Sequence, residues 1–201
     1  MLLLVDNFDS FSHMLADYLR QAGAEIKVVR NNVPLADLVN QQYSGLVISP
    51  GPGTPGKAGN LMEILGYFHD KLPILGICLG HQAIGEYFGA RLVQCERPVH
   101  GKVTCVQQAG AHPVLQGFPG AFSVTRYHSL ELRDLPEALE VILATAEGEI
   151  MGISHKGLPV LGVQYHPEAH LTEHGLELIR NWMEVYVQEV ALPESEKDQA
   201  P

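Results

Sequence analysis

The sequence predicts an α/β fold: a mostly parallel open sheet flanked by helices and extended by antiparallel strands. The first 88 residues alternate short apolar runs with amphipathic stretches, a pattern typical of strands joined by helical crossovers. After Gly89 the pattern changes to short strand-like runs separated by glycine and proline, which indicates antiparallel strands added to the same sheet. With 46% hydrophobic residues among 201, the chain has enough apolar material for one ordinary core.

The elements of the parallel part follow from their apolar patterns. Leu2 to Val5 is an unbroken apolar run, as in a strand buried on both faces. The stretch that starts at Ser10 carries one helical stripe and stops at Gly23. The residues of that stripe are Phe11, Met14, Leu15, Tyr18, Leu19 and Ala22. The same patterns predict strands over 26–29, 45–48 and 74–77, and helices over 35–39, 61–69 and 79–88.

The second half predicts six short strands and a closing helix. The strand-like runs are 91–93, 102–106, 122–126, 140–144, 150–154 and 160–165. The closing helix covers 174–190, with the apolar stripe Leu176, Ile179, Met183, Tyr186, Val187 and Val190. We therefore expect one domain over residues 1–191, followed by a polar, disordered tail over 192–201.

Composition excludes several classes of protein. The formal net charge is −10, from 13 Lys+Arg and 23 Asp+Glu, which is unfavourable for binding nucleic acid or an anionic membrane. The apolar run at the start is stopped by Asp6, and no later run is long enough for a membrane span. Three cysteines cannot form a complete set of disulfides, which fits a reducing compartment. We expect a soluble cytoplasmic protein without nucleic-acid or membrane partners.

The first candidate for chemistry is Cys78. The segment 76–80 reads Gly-Ile-Cys-Leu-Gly, and it lies where a buried strand meets a helix. This is the pattern of a nucleophile elbow, in which small residues two before and two after the nucleophile allow a strained turn to close. A thiol at a helix N-terminus has a lowered pKa and forms the reactive thiolate more easily. The competing interpretation is a small buried hydrophobe, and we assign that role to Cys95 and Cys105, which lack this context.

The second candidate is the segment His166-Pro167-Glu168, which follows a predicted strand. A thiolate nucleophile needs a proton shuttle, and histidine titrates near neutral pH. One ring nitrogen of His166 would exchange protons with the thiol. Glu168 could accept a hydrogen bond from the N–H of the second ring nitrogen and so fix the tautomer of the imidazole. A metal site is the alternative, because His166, Glu168, His170 and His174 are close in sequence. Pro167 disfavours it, since the zinc spacing His-Glu-x-x-His requires a helix at this point.

The third candidate is the Gly/Pro-rich loop over 49–58, which follows the strand at 45–48. It contains Gly-x-Gly-x-x-Gly and nearly matches a P-loop, so a nucleotide site is an alternative. Pro52 and Pro55 remove backbone donors, however, and Ala58 replaces the hydroxyl residue that holds magnesium. Such a rigid loop could instead direct one or two N–H groups at a developing oxyanion. A simple connector is the remaining interpretation.

Taken together, these segments resemble the class I glutamine amidotransferases, and most closely the small glutaminase subunits of anthranilate synthase and aminodeoxychorismate synthase. Among the matching segments, Val5–Phe11 and Arg126–Leu130 favour the chorismate branch of the family. Ala169 is a departure, because the family usually has serine after His-Pro-Glu. Seven segments match in order: Val5–Phe11, Ser49–Gly53, Leu75–Gln82, His100–Lys102, Arg126–Leu130, Ile150–Gly152 and Gly162–Glu168.

The resemblance implies a role for each matching residue. Cys78 would be the nucleophile on the side-chain amide of glutamine, His166 the base and then the acid, and Glu168 its orienting partner. Oxyanion donors would come from Leu79, Gly51 and Gly53. The expected glutamine contacts are Gly51, Pro52, Gly53, Gln82, Ser129 and Leu130. The resemblance implies no cofactor and no metal.

The resemblance also implies a partner. Ammonia from L-glutamine would pass to a larger chorismate-binding synthase subunit, which forms anthranilate or 4-amino-4-deoxychorismate. The sequence does not separate these products, because this chain would handle only glutamine. Two other functions stay open at this point: a P-loop or dinucleotide-binding domain, and a catalytically silent regulatory subunit of the same fold.

Overall fold

The computed structural model describes residues 1–187. The predicted tail over 192–201, the domain boundary at 191 and the last residues of the predicted closing helix therefore lie outside the described residues. The described helices and strands follow one another in this order: β1 Leu2–Asp6, α1 Ser12–Gln21, β2 Ile26–Arg30, β3 Gly45–Ile48, α2 Leu61–Phe68, β4 Ile74–Ile77, α3 Leu79–Phe88, β5 Arg91–Gln108, β6 Ala121–Arg133, β7 Leu139–Thr145, β8 Ile150–His155, β9 Val160–Val163 and α4 Gly175–Trp182.

The nine described strands form a single sheet in the order β2-β1-β3-β4-β9-β8-β7-β5-β6. The pairs from β2 to β9 are parallel. The pairs from β9 to β6 are antiparallel. The predicted α/β class, with its parallel sheet and antiparallel extension, is confirmed. Parallel strands all end at the same edge of the sheet, so the loops after β1, β3, β4 and β9 lie together.

The core has two layers, one on each face of the sheet. Successive residues of a buried strand point to opposite faces, and β1 shows this clearly. Leu2 and Leu4 pack with the apolar sides of α1 and α4, whereas Leu3 and Val5 pack with those of α2 and α3. Both faces of β1 are therefore covered, which explains why Leu2 to Val5 is apolar at every position rather than alternating.

The long strand β5 differs from the prediction. The sequence predicts two separate strands, over 91–93 and 102–106, because Pro98 and Gly101 look like breaks. In the structure β5 runs from Arg91 to Gln108 along β6, with shifts of register between Gln94 and Val99 and between His100 and Lys102. A bulge leaves residues out of the ladder, so the strand can pass through proline and glycine without ending.

The buried stripes of α1 and α4 also differ in part from the predicted ones. On α1 the predicted stripe includes Met14, but this residue is 40% exposed in the structure, and Ala16 is buried instead. On α4 the buried residues include Leu178 and Trp182, which the predicted stripe lacks. The helix continues as a π-helical turn over Met183–Val187, so one constant helical period does not apply along this segment.

None of the described helices is long and apolar enough to cross a membrane.

The burial of Trp182 yields a test of this assignment of the core. Its side chain is fully buried, and its ring lies 3.3 Å from the position of a Cβ on Gly45. We expect Trp182→Ala to lower the free energy of unfolding by about 3–5 kcal/mol, because it leaves a large cavity. Met14→Ala should change it by less than about 0.5 kcal/mol. Denaturant unfolding measures both values, and a larger loss for Met14→Ala would contradict the core as described.

Candidate active site

Cys78 occupies the sharp turn between β4 and α3. Its backbone has φ +50° and ψ −97°, a conformation that residues with a side chain rarely adopt. A Cβ on Gly76 would lie 2.5 Å from the backbone of Gly80, and a Cβ on Gly80 would lie 2.5 Å from the carbonyl oxygen of Ile48. Both glycines are therefore required for this turn to close against β3, as the elbow pattern predicts.

The Cys78 thiol lies at the start of a helix. The first N–H that bonds back within α3 is that of Gln82, which donates to the carbonyl oxygen of Cys78 at 3.0 Å. The N–H groups of Leu79, Gly80 and His81 therefore have no partner within the helix, and they create a positive potential near the sulfur. Gln164 Nε2 lies 3.6 Å from Sγ on the other side. Both surroundings stabilise a negative charge on sulfur.

His166 and Glu168 form a buried pair just beyond β9. Nδ1 of His166 lies 2.7 Å from Oε1 of Glu168, and both side chains are buried. Burial by itself lowers the pKa of His166, but its contacts with the Cys78 thiol and the Glu168 carboxylate outweigh burial and raise that pKa to about 10. Nε2 of His166 has no hydrogen bond of good geometry to a described residue. The Cys78 thiol is nevertheless close enough to affect the pKa of the imidazole.

The imidazole of His166 is held in place by aromatic and backbone contacts. The rings of Phe11 and Tyr127 lie 5.0 Å and 5.2 Å from it, both nearly edge to face. The His166 backbone N–H donates to the carbonyl oxygen of Thr125 at 3.0 Å, and the Thr172 hydroxyl donates to the His166 carbonyl oxygen at 2.7 Å. The ring is therefore fixed before any substrate binds.

The loop after β3 is anchored by Asn7, from the loop after β1. The Asn7 backbone N–H donates to the Ser49 hydroxyl, and its side-chain amide donates to the Ser49 carbonyl oxygen, both at 2.9 Å. A Cβ on Gly51 would lie 2.5 Å from Asn7 and 2.7 Å from Leu79, so only glycine fits. Gly53 has φ +80°, which glycine adopts without strain.

A cleft of about 180 Å³ opens beside the Cys78 thiol. All six residues predicted to bind glutamine line it, and the structure therefore brings them together with Cys78. Three further residues of its wall were not predicted as contacts: His100, Tyr127 and His128. His166 and Glu168 lie behind the thiol and are not part of the wall. Larger hollows occur elsewhere on the surface, but none of those contains Cys78.

Two alternative sites do not match the geometry. The loop over 49–53 leads into a single 3₁₀ turn at Pro55–Lys57, and α2 begins only at Leu61. A phosphate cradle needs the helix N-terminus directly after the loop, so the P-loop interpretation fails. Within residues 1–187, no group of three His, Cys, Asp or Glu is arranged to hold a metal ion. His174 instead packs against the ring of Phe118, with the ring centres 5.1 Å apart.

Sequence reasoning missed several residues that support the site. Gln164 contacts the thiol, Asn7 anchors the loop, and the buried Arg126 forms an ion pair with Glu149. Asn7, Arg126 and Gln164 belong to the matching segments, so the segments contained a signal for them. Glu149 lies just before such a segment, and its pairing with Arg126 depends on strand order, which the sequence does not show.

The comparisons with known proteins agree with this geometry. The model of the class I glutamine amidotransferase family matches residues 3–185. An aminodeoxychorismate/anthranilate synthase component 2 from Bacillus subtilis is 42% identical over 193 residues, covering 94% of this chain and 99% of the relative. An anthranilate synthase component 2 from Pseudomonas putida is 44% identical over 191 residues, covering 91% and 96%.

Solved structures show the same fold. A candidate GMP synthase protein from Thermoplasma acidophilum superposes with a TM-score of 0.82 at 29% identity, covering 92% of each chain. A glutamine amidotransferase from Thermotoga maritima gives a TM-score of 0.68 at 20% identity, covering 94% of this chain and 83% of that one, and this likeness concerns the fold alone.

The elbow is tested by Gly80→Ala. Alanine favours a helix over glycine by about 1 kcal/mol, but its Cβ would meet the Ile48 carbonyl oxygen, which cannot move without shifting β3. We expect a net loss of about 1–3 kcal/mol in the free energy of unfolding. Gly110→Ala is the matched control, because nothing lies within 4 Å of its Cβ position. Equal stability of the two variants in denaturant unfolding would contradict the packing of the elbow.

A buried histidine next to the elbow predicts the pH dependence of stability. His81 is fully buried, and neither ring nitrogen has a hydrogen bond of good geometry to a described residue. Burial outweighs a contact with the Gly162 backbone and lowers the pKa of His81 to about 3. Unfolded His81 would titrate at the ordinary value of 6.5, so the unfolded chain binds the extra proton between these pH values. The contribution of neutral His81 to stability is therefore complete above pH 6.5 and is lost as the pH falls towards 3.

We expect His81→Met to reduce the loss of stability that occurs as the pH falls. Its free energy of unfolding should fall less steeply between pH 6 and pH 4 than that of the original chain, by up to about 1 kcal/mol per pH unit. His13→Gln, at an exposed position on α1, should leave the slope unchanged. Denaturant unfolding at several pH values measures the slopes. Parallel curves for His81→Met and the original chain would show that His81 is not neutral in the fold.

Proposed function

Because the chain belongs to the class I glutamine amidotransferase family, we propose that it is the glutaminase subunit of a two-subunit, chorismate-aminating synthase. In this proposal Cys78, His166 and Glu168 release ammonia from L-glutamine, and a larger subunit uses the ammonia. One observation supports it most strongly: Cys78 sits on a strained turn at a helix N-terminus, beside a cleft and close to a buried His166–Glu168 pair.

The first chemical step is attack by the thiolate of Cys78 on the side-chain amide carbon of glutamine. The raised pKa of His166 keeps its imidazole protonated at neutral pH, which is the form that pairs with a thiolate. His166 then gives this proton to the leaving nitrogen, so ammonia departs and a glutamyl thioester remains. Glu168 holds Nδ1 at 2.7 Å and keeps Nε2 directed towards the reacting atoms.

The second step is hydrolysis of the thioester. His166, now neutral, takes a proton from water, the resulting oxygen nucleophile attacks the thioester carbon, and glutamate leaves as the thiolate re-forms. One glutamine and one water thus give one glutamate and one ammonia. In both steps a negative charge develops on the former amide oxygen. The N–H of Leu79 and the Gly51–Gly53 loop are the groups we assign to stabilise it.

We assign the binding of glutamine to the cleft beside Cys78. The cleft is lined by Pro52 and Gly53 from the loop after β3, by Ser129 and Leu130 from β6, and by Gln82 from α3. Gln82 Nε2 lies 3.2 Å from both the Leu130 carbonyl oxygen and Oε1 of Gln164. The amide of Gln82 is therefore fixed in one orientation. We assign these residues to bind the substrate side chain and main chain.

The partner is the part of the proposal that rests on relatives alone. The relatives at 42–45% identity are component 2 of anthranilate synthase or of aminodeoxychorismate synthase. Both kinds occur at similar identity, so we propose a chorismate-binding larger subunit and leave its product, anthranilate or 4-amino-4-deoxychorismate, to experiment. We place the reaction in the cytoplasm, because the three cysteines are unpaired and a reducing compartment keeps them so.

The proposed function is tested with Cys78→Ser in the complex with the larger subunit. Glutamate release from glutamine should fall by about 1,000-fold or more, because the nucleophile is lost. Product formed from chorismate and added ammonium salt should stay unchanged, since the larger subunit uses the ammonia. Cys105→Ser, at an exposed position away from the cleft, is the control and should retain both activities.

Two results would contradict the proposal. Glutaminase activity that persists in Cys78→Ser would exclude Cys78 as the nucleophile. No glutamate release by the original chain, with or without the larger subunit, would favour a catalytically silent regulatory protein.

A further inference from the structure

The buried Arg126 forms an ion pair with the half-buried Glu149, beside the cleft but outside its wall. The Arg126 guanidinium is 3% exposed, and its Nη1 and Nη2 donate to the two carboxylate oxygens of Glu149 at 2.7 Å and 2.9 Å. The hydrogen bonds from Arg126 hold the pKa of Glu149 below its ordinary value. Thr145 fixes the carboxylate through its hydroxyl, at 3.3 Å. A buried guanidinium is costly, so we expect its Nε–H to have a defined partner as well.

The Nε–H of Arg126 determines the tautomer of His128. Nε of Arg126 lies 3.0 Å from Nε2 of His128. Arginine stays protonated, so the hydrogen between them belongs to Nε and Nε2 must accept it. Burial and the charge of Arg126 lower the pKa of His128 to about 4, which keeps the ring neutral. The only ring hydrogen on nitrogen is therefore on Nδ1.

The Nδ1–H of His128 points at the wall of the cleft. It donates to the Leu130 carbonyl oxygen at 2.9 Å, and Gln82 Nε2 donates to the same oxygen at 3.2 Å. Both lone pairs of this carbonyl are thus occupied. With the hydrogen on Nε2 instead, Nδ1 and the carbonyl oxygen would face each other as two acceptors and repel. The position of the Ser129–Leu130 segment therefore depends on which ring nitrogen carries the hydrogen.

We propose that Arg126 and Glu149 are positioning residues for glutamine binding, which act by holding His128 in its Nδ1–H tautomer. Neither residue lines the cleft, and neither touches the reacting atoms. Their effect passes from the ion pair to His128, then to the Leu130 carbonyl and the wall on which glutamine lies. This inference rests on the proposed function, because it assigns that wall to the substrate.

The test separates this role from a structural one by a double-mutant cycle on the KM for glutamine. Arg126→Lys keeps the positive charge near Glu149 but loses the planar guanidinium, which donates hydrogen bonds to Glu149 and His128 at the same time. His128→Asn has an amide donor in place of Nδ1–H and has no tautomer for Arg126 to select. Arg91→Lys, in the exposed ion pair with Asp134, is the control. The original chain and all variants are assayed with the larger subunit, and thermal melts check folding.

We expect Arg126→Lys to raise the KM for glutamine about tenfold or more, with kcat changed less than about twofold. In the His128→Asn background the same substitution should change KM less than about twofold, because the tautomer no longer matters. Glu149→Gln retains an oxygen acceptor for Arg126. It should therefore also raise KM, but by a smaller factor than Arg126→Lys does. Arg91→Lys should leave KM unchanged.

Three results would overturn the inference. One is an equal rise in KM for Arg126→Lys with and without His128→Asn, and another is a loss confined to kcat. The third is unchanged kinetics in folded Arg126→Lys and Glu149→Gln. Failure of the proposed function is distinguishable, because then the original chain itself would release no glutamate from glutamine.

Discussion

The strained turn at Cys78 is the constraint on which the rest of the site depends. A residue with a side chain adopts φ +50° there only because Gly76 and Gly80 allow β4, α3 and β3 to approach within contact of one another. The turn places the sulfur at the N-terminus of α3 and at the edge where β1, β3 and β9 also end. The parallel order of those strands then brings two other loops to the sulfur, the Gly51–Gly53 loop after β3 and the loop after β9 that carries His166 and Glu168. The wall residues Ser129 and Leu130 come from the antiparallel strand β6.

Buried polar groups give the site its fixed geometry. His166 is held by Glu168, by two aromatic rings and by backbone hydrogen bonds, while Asn7 fixes the opposite loop. On the far side of the cleft, Arg126, Glu149 and His128 form a connected network, in which Arg126 donates to Glu149 and to His128, and His128 donates to the Leu130 carbonyl oxygen. Such networks are costly to build but rigid once complete. The cleft is therefore shaped before substrate arrives, which favours binding of one ligand geometry.

Much of the fold follows from local patterns, and what does not has physical reasons. The apolar runs of β1, β3 and β4 and the glycines around Cys78 could be interpreted from the sequence alone, because burial on both faces and a tight turn each demand particular residue types. The continuity of β5 through Pro98 could not, since a bulge is decided by the partner strand. Trp182 was missed because the helical period changes just after it, so a stripe with one period through Met183, Tyr186 and Val187 passes beside Trp182. The pairing of Arg126 with Glu149 depends on long-range strand order.

The central claim is that Cys78 is the thiol that reacts with glutamine. The most direct measurement is labelling of the two-subunit complex with a diazo-ketone analogue of glutamine, followed by peptide mass spectrometry. We expect a single adduct on Cys78, formed more slowly when glutamine is present, with Cys95 and Cys105 unmodified. An adduct on either of those cysteines in place of Cys78, or labelling of Cys78 that glutamine does not slow, would contradict it.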